Sequence, residues 1–392
     1  MRQSRKKWER RREVHRNKLA AVIFVIMMIA FCVVNLATGD REFSATENRA
    51  LEQRPELTIS GLESGRWMEQ YESYVSDQFA GRDFWVVLKS RVDLLAGKRK
   101  ANGVFKGKDH YLLEDIAKPD EDQLKENLSA MKKFQKQYKD IPMYMMLVPN
   151  AANIESDKLP GYAVTENQEK QFKAIHSTLG SAYTWVDVSD ILKKHRSEEI
   201  YYHTDHHWTT LGAYYGYQAL SKSMKLDTSK TSDMKPYAVT NAFNGTLAST
   251  SGYETGYEEP IYIYAPDNLK NATEAVVNNV NEKKKTATLY DTSKLKGKDK
   301  YALFLGGNYP ILDIKTTADS TGRLLIIKDS YANSLIPFLI PYYREIVVVD
   351  PRYYYDDIEK VMKKDNITSV LFLYNGNTFV KDNSISGVLQ ND

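Results

Sequence analysis

RLLIIKDSYANSLIPFLIPYYREIVVVDPR, residues 323 to 352, holds the pattern that decides the fold. Its two branched apolar runs, RLLIIK and EIVVV, predict buried β-strands, because a strand that is covered on both faces is apolar throughout. The stretch between them predicts a helix that Pro337 and Pro341 interrupt. Alternation of strand and helix predicts parallel strands in one sheet.

The same alternation extends through much of the chain. Helices are predicted at 121–138, 169–180, from Thr209 to about 225, and at 356–366, and strands at 141–149, 182–186 and 368–377. We therefore expect an α/β fold whose mostly parallel sheet has helices on both faces.

Three regions depart from this alternation. Residues 64–97 predict two helices with a break at Gly81, and residues 103–115 predict a hairpin. Residues 235–300 are rich in Tyr, Thr, Asn and Lys, and predict a β-rich insertion, either a hairpin or a lid over one edge of the sheet.

The N-terminal region predicts a membrane anchor. Residues 1–18 carry nine Lys or Arg and two Glu, which gives this segment a charge of +7. Since the whole chain has a net charge of +3, the remaining residues sum to −4. A net negative charge there argues against a nucleic-acid partner. Residues 19–37 are uncharged and long enough to cross a bilayer core of roughly 30 Å. The basic flank predicts a cytoplasmic N-terminus and an outer main domain. A cleaved signal peptide is the alternative, although its apolar stretch is usually shorter.

These features divide the chain into a basic tail (1–18), a transmembrane helix (19–37), a tether (38–63) and an α/β domain (64–392). Cys32, the one cysteine, lies in the apolar run, so the exported part has no disulfide. A large domain can be stable without one. We expect an extracellular, single-pass protein of a bacterial envelope of Gram-positive type.

The segment YYHTDHHWTTLG, residues 201–212, concentrates titratable side chains. Asp205 lies two residues before His207 and could orient its imidazole, as the acid of a Ser-His-Asp triad does. A zinc site that uses His203, Asp205, His206 and His207 is the second interpretation, although no HExxH or CxxC motif accompanies it. A surface cluster beside a helix start is the third.

Polar side chains follow three predicted strands, at the edge of a parallel sheet where ligands usually bind. Asp329 and Ser330 follow the first strand, Asp350 and Arg352 the second, and Asn375 and Asn377 the third. Ser330 could cap the next helix or act as a nucleophile. Arg352 could bind an anionic group or a sugar hydroxyl, or form a surface ion pair.

TDHHW, ENRALEQRPEL, FLGGNYPILDIKT and LLIIKDSYANSLIPFL together resemble the DHHW protein family, over about residues 47–379. That family is similar to the SGNH-hydrolase-like proteins of alginate O-acetylation, which have a flavodoxin-like sheet and in which the D-x-H-W motif precedes the serine. The resemblance implies a nucleophile at Ser330, a base at His207 and an acid at Asp205. It also implies that Asp329 corresponds to the middle of the G-D-S motif, where Lys328 replaces the glycine, and that Asn375 or Asn377 contributes to an oxyanion hole.

The function implied is a membrane-anchored O-acetyltransferase that modifies a cell-envelope polysaccharide or exopolysaccharide through an acetyl-serine, without a metal or cofactor. A multi-pass membrane O-acyltransferase is implied as the source of acetyl groups. The alternatives are a carbohydrate O-acetylesterase, a non-catalytic protein that binds glycan or scaffolds a modification complex, and a zinc-dependent hydrolase.

Overall fold

The structure is a computed structural model, and it describes residues 2–44, 49–268 and 272–390. The chain folds into two compact units, Met1–Lys89 and Ser90–Asp392. The active-site residues predicted from the sequence all lie in the second unit.

The first unit is mainly helical. Its elements in chain order are α1 (Arg2–Ala37), β1 (Phe43–Ser44), β2 (Arg49–Ala50), α2 (Ile59–Glu63), α3 (Arg66–Asp77) and the start of α4 (Arg82–Leu95). The predicted break between two helices is confirmed, since Gly81 has φ +69° between α3 and α4. The part Arg12–Ala37 of α1 is long and apolar enough to cross a membrane, and it fits a membrane anchor as well as a signal sequence.

The second unit contains the remaining helices and strands. Its helices are α5 (Glu121–Gln137), α6 (Ala151–Ile154), α7 (Gln168–Leu179), α8 (Ser189–Lys194), α9 (Thr210–Met224), α10 (Thr246–Ser251), α11 (Ile358–Lys364), α12 (Gly376–Lys381) and α13 (Ile385–Leu389). Its strands are β3 (Lys100–Ala101), β4 (Val104–Lys106), β5 (Leu112–Glu114), β6 (Met143–Val148), β7 (Thr184–Trp185), β8 (Met234–Phe243), β9 (Glu259–Pro266), β10 (Ala275–Asn279), β11 (Lys284–Thr286), β12 (Ile311–Thr316), β13 (Arg323–Lys328), β14 (Glu345–Val349) and β15 (Ser369–Asn375).

One mixed sheet organises this unit, with the strand order β11-β10-β12-β14-β13-β15-β6-β7. The five strands from β14 to β7 run parallel, and β12, β10 and β11 extend that sheet with antiparallel pairs. The predicted α/β class and the mostly parallel sheet are therefore confirmed. The predicted hairpin at 103–115 is also present, as the antiparallel pair of β4 and β5.

Helices cover both faces of the sheet, as the fully apolar strands require. In β13, Leu324 and Ile326 face one hydrophobic core, and Leu325 and Ile327 face the other. The first core includes buried residues of α9, and the second includes buried residues of α5, α7 and α11. Both cores are assembled from strand residues of alternating orientation, as expected of a sheet that is covered on both faces.

Two local predictions differ from the structure. The stretch 331–343 forms two short 3₁₀ helices, Ser330–Ser334 and Ile336–Phe338, rather than one interrupted α-helix. Pro337 has no N–H to donate to the carbonyl four residues earlier, which explains why this segment does not form one continuous α-helix. The insertion is β-rich, as predicted, but it divides between two places: β8 and β9 pair with each other, whereas β10 and β11 join the edge of the main sheet.

We predict that Gly216→Ala destabilises the protein by about 1–3 kcal/mol, since an added methyl group overpacks a filled core. A Cβ atom at position 216 of α9 would lie 2.7 Å from two ring atoms of the buried Trp208. The control is Gly387→Ala, at an exposed helical glycine whose Cβ would meet no atom within 4 Å. It is expected to stabilise the fold by up to about 1 kcal/mol. Urea unfolding measures both changes, and equal effects would contradict the packing argument.

Candidate active site

The loop from Tyr202 to His207 carries two of the predicted catalytic residues, Asp205 and His207. A β-bridge between Tyr201 and Trp208 closes this loop at its base. Within it, the Tyr202 N–H donates to the His207 carbonyl over 3.2 Å. Trp208 then fixes the loop beside the serine segment, because its Nε1 donates to the Tyr331 carbonyl and to Ser334 Oγ, both at 3.0 Å.

The structure brings Asp205, His207 and Ser330 into one hydrogen-bonded line. His207 Nδ1 lies 2.6 Å from Asp205 Oδ1, and His207 Nε2 lies 2.8 Å from Ser330 Oγ. Asp205 and His207 are buried, whereas Ser330 is half-buried. A carboxylate on one imidazole nitrogen and a hydroxyl on the other is the arrangement of a serine nucleophile with its base and orienting acid.

Ser330 is free for this role because its neighbour caps the 3₁₀ helix instead. Asp329 Oδ1 accepts the Tyr331 N–H at 2.9 Å, and Asp329 Oδ2 accepts the Asn375 N–H at 2.9 Å. The Asp329 carboxylate therefore ties the carboxyl end of β13 to that of β15. The capping interpretation of the sequence thus belongs to Asp329 and not to Ser330.

Asp205 is held by the insertion as well as by its own loop. The Thr246 N–H and hydroxyl donate to Asp205 Oδ2 at 2.8 and 2.9 Å. Burial opposes ionisation of Asp205, but the positive charges that His206 and His207 can carry, with hydrogen bonds from His207 and Thr246, outweigh it and lower its pKa. At Gly245 a Cβ atom would lie 2.2 Å from the Asp205 Cβ, so this close approach requires glycine.

Two further contacts of the loop could not be predicted from the sequence. Glu259 on β9 accepts the backbone N–H groups of His203 and Thr204, at 2.8 and 2.9 Å, and the Thr204 hydroxyl at 2.7 Å. The ring of Tyr301 stacks on His207 with centroids 3.7 Å apart and 10° between the planes. No local motif signals these roles, because each residue meets the loop only through tertiary folding.

Of the four zinc-ligand candidates, the structure brings Asp205, His206 and His207 together, with one potential ligand atom of each within 4.8 Å of the others. His203 is directed to Glu259 instead, with 3.2 Å between its Nδ1 and a carboxylate oxygen. Two of the three grouped residues already bond to each other, and His207 also bonds Ser330, so the donor set fits a triad better than a metal shell.

A sequence model of the DHHW protein family matches residues 124–349, which is more than half of the chain. The chain belongs to the DHHW protein family. No curated protein sequence matches it.

Two solved structures share the fold of this DHHW protein, and a third is more distantly similar. A DHHW family protein from Eubacterium siraeum is 24% identical, with a TM-score of 0.61 over 75% of this chain and 96% of that one. Bacillus cereus PatB1, determined with a sulfonyl adduct, is 20% identical, with a TM-score of 0.60 over 73% of this chain and 98% of that one. The O-acetyltransferase domain of Pseudomonas putida AlgJ is 14% identical, with a TM-score of 0.47 over 72% and 94%.

The two asparagines that were oxyanion candidates in this DHHW protein have other hydrogen-bond partners. Asn375 caps α12 by accepting the Asn377 N–H at 2.9 Å, and its Nδ2 donates to the Val148 carbonyl at 3.3 Å. Asn377 Nδ2 donates to the Asp115 carbonyl at 2.8 Å. These amide groups are directed to backbone carbonyls rather than to Ser330, and an oxyanion role for either stays a prediction.

Arg352 takes part in a buried charge cluster. Its Nε and Nη2 donate to the two Asp350 oxygens at 2.8 and 2.6 Å, and Lys328 Nζ lies 3.3 Å from Asp350 Oδ2 and 2.8 Å from Asn308 Oδ1. Burial raises the pKa of Asp350, but the charges of Lys328 and Arg352 lower it by more, so the pKa lies below its usual value. The ion-pair interpretation of Arg352 therefore describes its contacts, and substrate binding by it stays a prediction.

Behind the loop, Glu155 is a buried carboxyl group at the end of α6. Its Oε1 has no hydrogen-bond partner among the described residues. Burial, followed by the negative charge of Asp157, raises the pKa of Glu155 to about 7. Because this folded pKa exceeds the unfolded value of about 4.3, the folded state binds the proton more tightly. The resulting stability is complete below the unfolded pKa and is lost as the pH rises through 7.

We predict that Glu155→Gln stabilises the protein relative to the wild type at pH 8 but not at pH 4.5. The difference is expected to grow by up to about 3 kcal/mol between these values, since one pKa unit corresponds to about 1.4 kcal/mol. Urea unfolding across this pH range measures it, and Glu121→Gln, on the exposed side of α5, serves as the control. Parallel pH profiles for Glu155→Gln and the wild type would show that Glu155 titrates normally.

Proposed function

We propose that this DHHW protein is a membrane-anchored O-acetyltransferase that acts on a cell-envelope polysaccharide or exopolysaccharide through an acetyl-serine at Ser330. The observation that carries the proposal is the line of hydrogen bonds from Ser330 through His207 to Asp205. Acyl transfer needs a nucleophile, a base that returns the proton to the leaving group, and a group that orients the base.

In the proposed first step, Ser330 Oγ forms a bond to the acetyl carbonyl carbon, and its proton moves to His207 Nε2. The donor oxygen then leaves and takes that proton from His207. In the second step a sugar hydroxyl attacks the acetyl-serine, gives its proton to His207, and releases Ser330, which regains the proton. The ionised Asp205 keeps the imidazole in the required tautomer and stabilises its charged form. With water in place of the sugar, the same steps describe an esterase.

The strand order supports an SGNH-like sheet with a permuted chain. When the count begins at β13, the order β14-β13-β15-β6-β7 corresponds to the flavodoxin-like order 2-1-3-4-5. In this numbering β6 and β7 are the fourth and fifth strands although they come first of the five in the chain, and the serine strand β13 is the first strand although it follows them. The histidine loop therefore precedes the serine in sequence. The resemblance implied the same order.

The developing oxyanion needs hydrogen-bond donors about 3 Å away. We propose the Ser330 N–H as one, since no described residue accepts a hydrogen bond from it. Asn375 or Asn377 would contribute a second only if an amide turned from its present carbonyl partner toward the substrate.

Anchoring by α1 would hold the catalytic unit at the outer face of the cytoplasmic membrane. The basic flank of the apolar run supports that orientation. An acetyl donor made in the cytoplasm must then be carried across the bilayer. We therefore propose a multi-pass membrane O-acyltransferase as the partner that supplies acetyl groups. In this arrangement the membrane partner supplies the acetyl group, and the present protein transfers it to the glycan.

We predict that the full-length protein in detergent forms a covalent adduct with phenylmethanesulfonyl fluoride, and an acetyl-enzyme with p-nitrophenyl acetate. PatB1 has been determined with a sulfonyl adduct, which motivates the first reagent. Ser330→Ala should abolish both adducts and lower p-nitrophenol release at least about a thousandfold, as loss of a serine nucleophile does in other triads.

The matched control is Ser129→Ala, at an exposed serine of α5. It should form both adducts at the wild-type rate. Intact-mass and peptide mass spectrometry assign each adduct to a residue. An adduct that persists in Ser330→Ala, or a wild-type protein that forms none, would overturn the proposed mechanism.

A further inference from the structure

The hydrogen-bonded line does not end at Asp205. The Thr246 hydroxyl that lies 2.9 Å from Asp205 Oδ2 also lies 2.7 Å from Nδ1 of the adjacent histidine, His206. An ionised carboxylate can only accept hydrogen bonds, so the single proton of the Thr246 hydroxyl is directed to Asp205. The Thr246 oxygen must then accept from His206, which places a proton on His206 Nδ1.

This proton leaves a free lone pair on Nε2 of neutral His206, because a neutral imidazole carries only one N–H. No residue that the structure describes bonds that nitrogen. The side chain of His206 is 30% exposed, against 6% for His207. Burial and the charge of His207 both lower the pKa of His206, which favours the neutral form. His206 thus carries a hydrogen-bond acceptor on a partly exposed side chain.

The rings of His206 and His207 are adjacent. Their ring centroids are 3.9 Å apart with 36° between the planes. Both Nδ1 atoms lie on the side of Asp205, since His207 Nδ1 is 2.6 Å and His206 Nδ1 is 3.8 Å from Asp205 Oδ1. Because Nε2 lies across an imidazole ring from Nδ1, both Nε2 atoms lie on the side of the rings away from Asp205, and Ser330 bonds His207 on that side.

We propose that His206 is a binding residue for the acyl acceptor, and that it accepts a hydrogen bond from the hydroxyl next to the one that is acetylated. The acceptor class is therefore a vicinal diol, as sugar rings provide. The attacking hydroxyl gives its proton to His207 Nε2 and bonds the acetyl carbon, while Ser330 Oγ leaves and takes that proton. The neighbouring hydroxyl keeps its own proton. This inference rests on the proposed function and specifies the acceptor of the same site.

The test compares two acceptors for one acetyl-enzyme. The full-length protein in detergent receives p-nitrophenyl acetate together with equal concentrations of trans-1,2-cyclohexanediol and trans-2-methoxycyclohexanol. The second compound keeps one hydroxyl but cannot donate from the other position. Chromatography measures the ratio of the two acetate esters. Because both acceptors draw on the same intermediate, this ratio does not depend on how fast the enzyme is acetylated.

For the wild type we expect a preference of about fivefold for the diol, beyond the factor of two for its two hydroxyls, as one neutral hydrogen bond provides. His206→Asn retains an amide N–H for Thr246 but has no atom at the Nε2 position, so the preference should fall to the statistical factor. His206→Gln places an amide group near the Nε2 position and should restore part of it. A merely structural role would lower both esters together and leave the ratio unchanged.

The inference is overturned if the wild type shows no preference, if His206→Asn retains it, or if neither alcohol is acetylated although acetyl-Ser330 forms. Mass spectrometry of the acetyl-enzyme separates this result from failure of the proposed function. A wild-type protein that never acquires an acetyl group at Ser330 contradicts both.

Discussion

The site depends on one buried carboxylate. Asp205 accepts hydrogen bonds from the His207 ring and from two groups of Thr246, so it joins the histidine loop to the insertion. A buried carboxylate is costly unless its oxygens are saturated with donors, and here every bond that offsets this cost also orients a catalytic candidate. The same requirement explains why glycine occupies position 245, where a side chain would displace the carboxylate.

The sheet and the insertion supply different halves of the site. The carboxyl ends of β13 and β15 hold the serine segment, with Asp329 bonded to both. The insertion and the chain just beyond it hold the histidine loop through Thr246, Glu259 and Tyr301. The sequence of the insertion predicts only a hairpin or a lid, but in the structure the insertion is part of the candidate site. Its removal would take away the contacts that Thr246 and Glu259 make with the histidine loop.

Much of the architecture was predictable because it depends on local patterns. The apolar strands and amphipathic helices report burial directly, and the TDHHW and KDSYANS motifs pointed to Asp205, His207 and Ser330, which the structure brings together. Three features could not be read in this way. The antiparallel strand β12 has the mixed composition ILDIKT, the segment after Ser330 is 3₁₀ rather than α-helical, and the Thr246 and Glu259 contacts connect residues some 40 to 56 positions apart in sequence.

Lys328 shows how a departure from the G-D-S pattern can be compatible with the candidate site. In the G-D-S pattern a glycine precedes the aspartate, whereas here a fully buried lysine ends β13. Its ammonium group bonds Asp350 on the chain just after the neighbouring strand β14, and Asn308. A buried cation needs such partners, and Asp350 is shared with Arg352. The lysine therefore shares a buried carboxylate with Arg352 at the sheet edge, while the Asp329 carboxylate that follows it still bonds Tyr331 and Asn375. The Asp329 contacts that hold the serine segment are therefore present although lysine, and not glycine, precedes the aspartate.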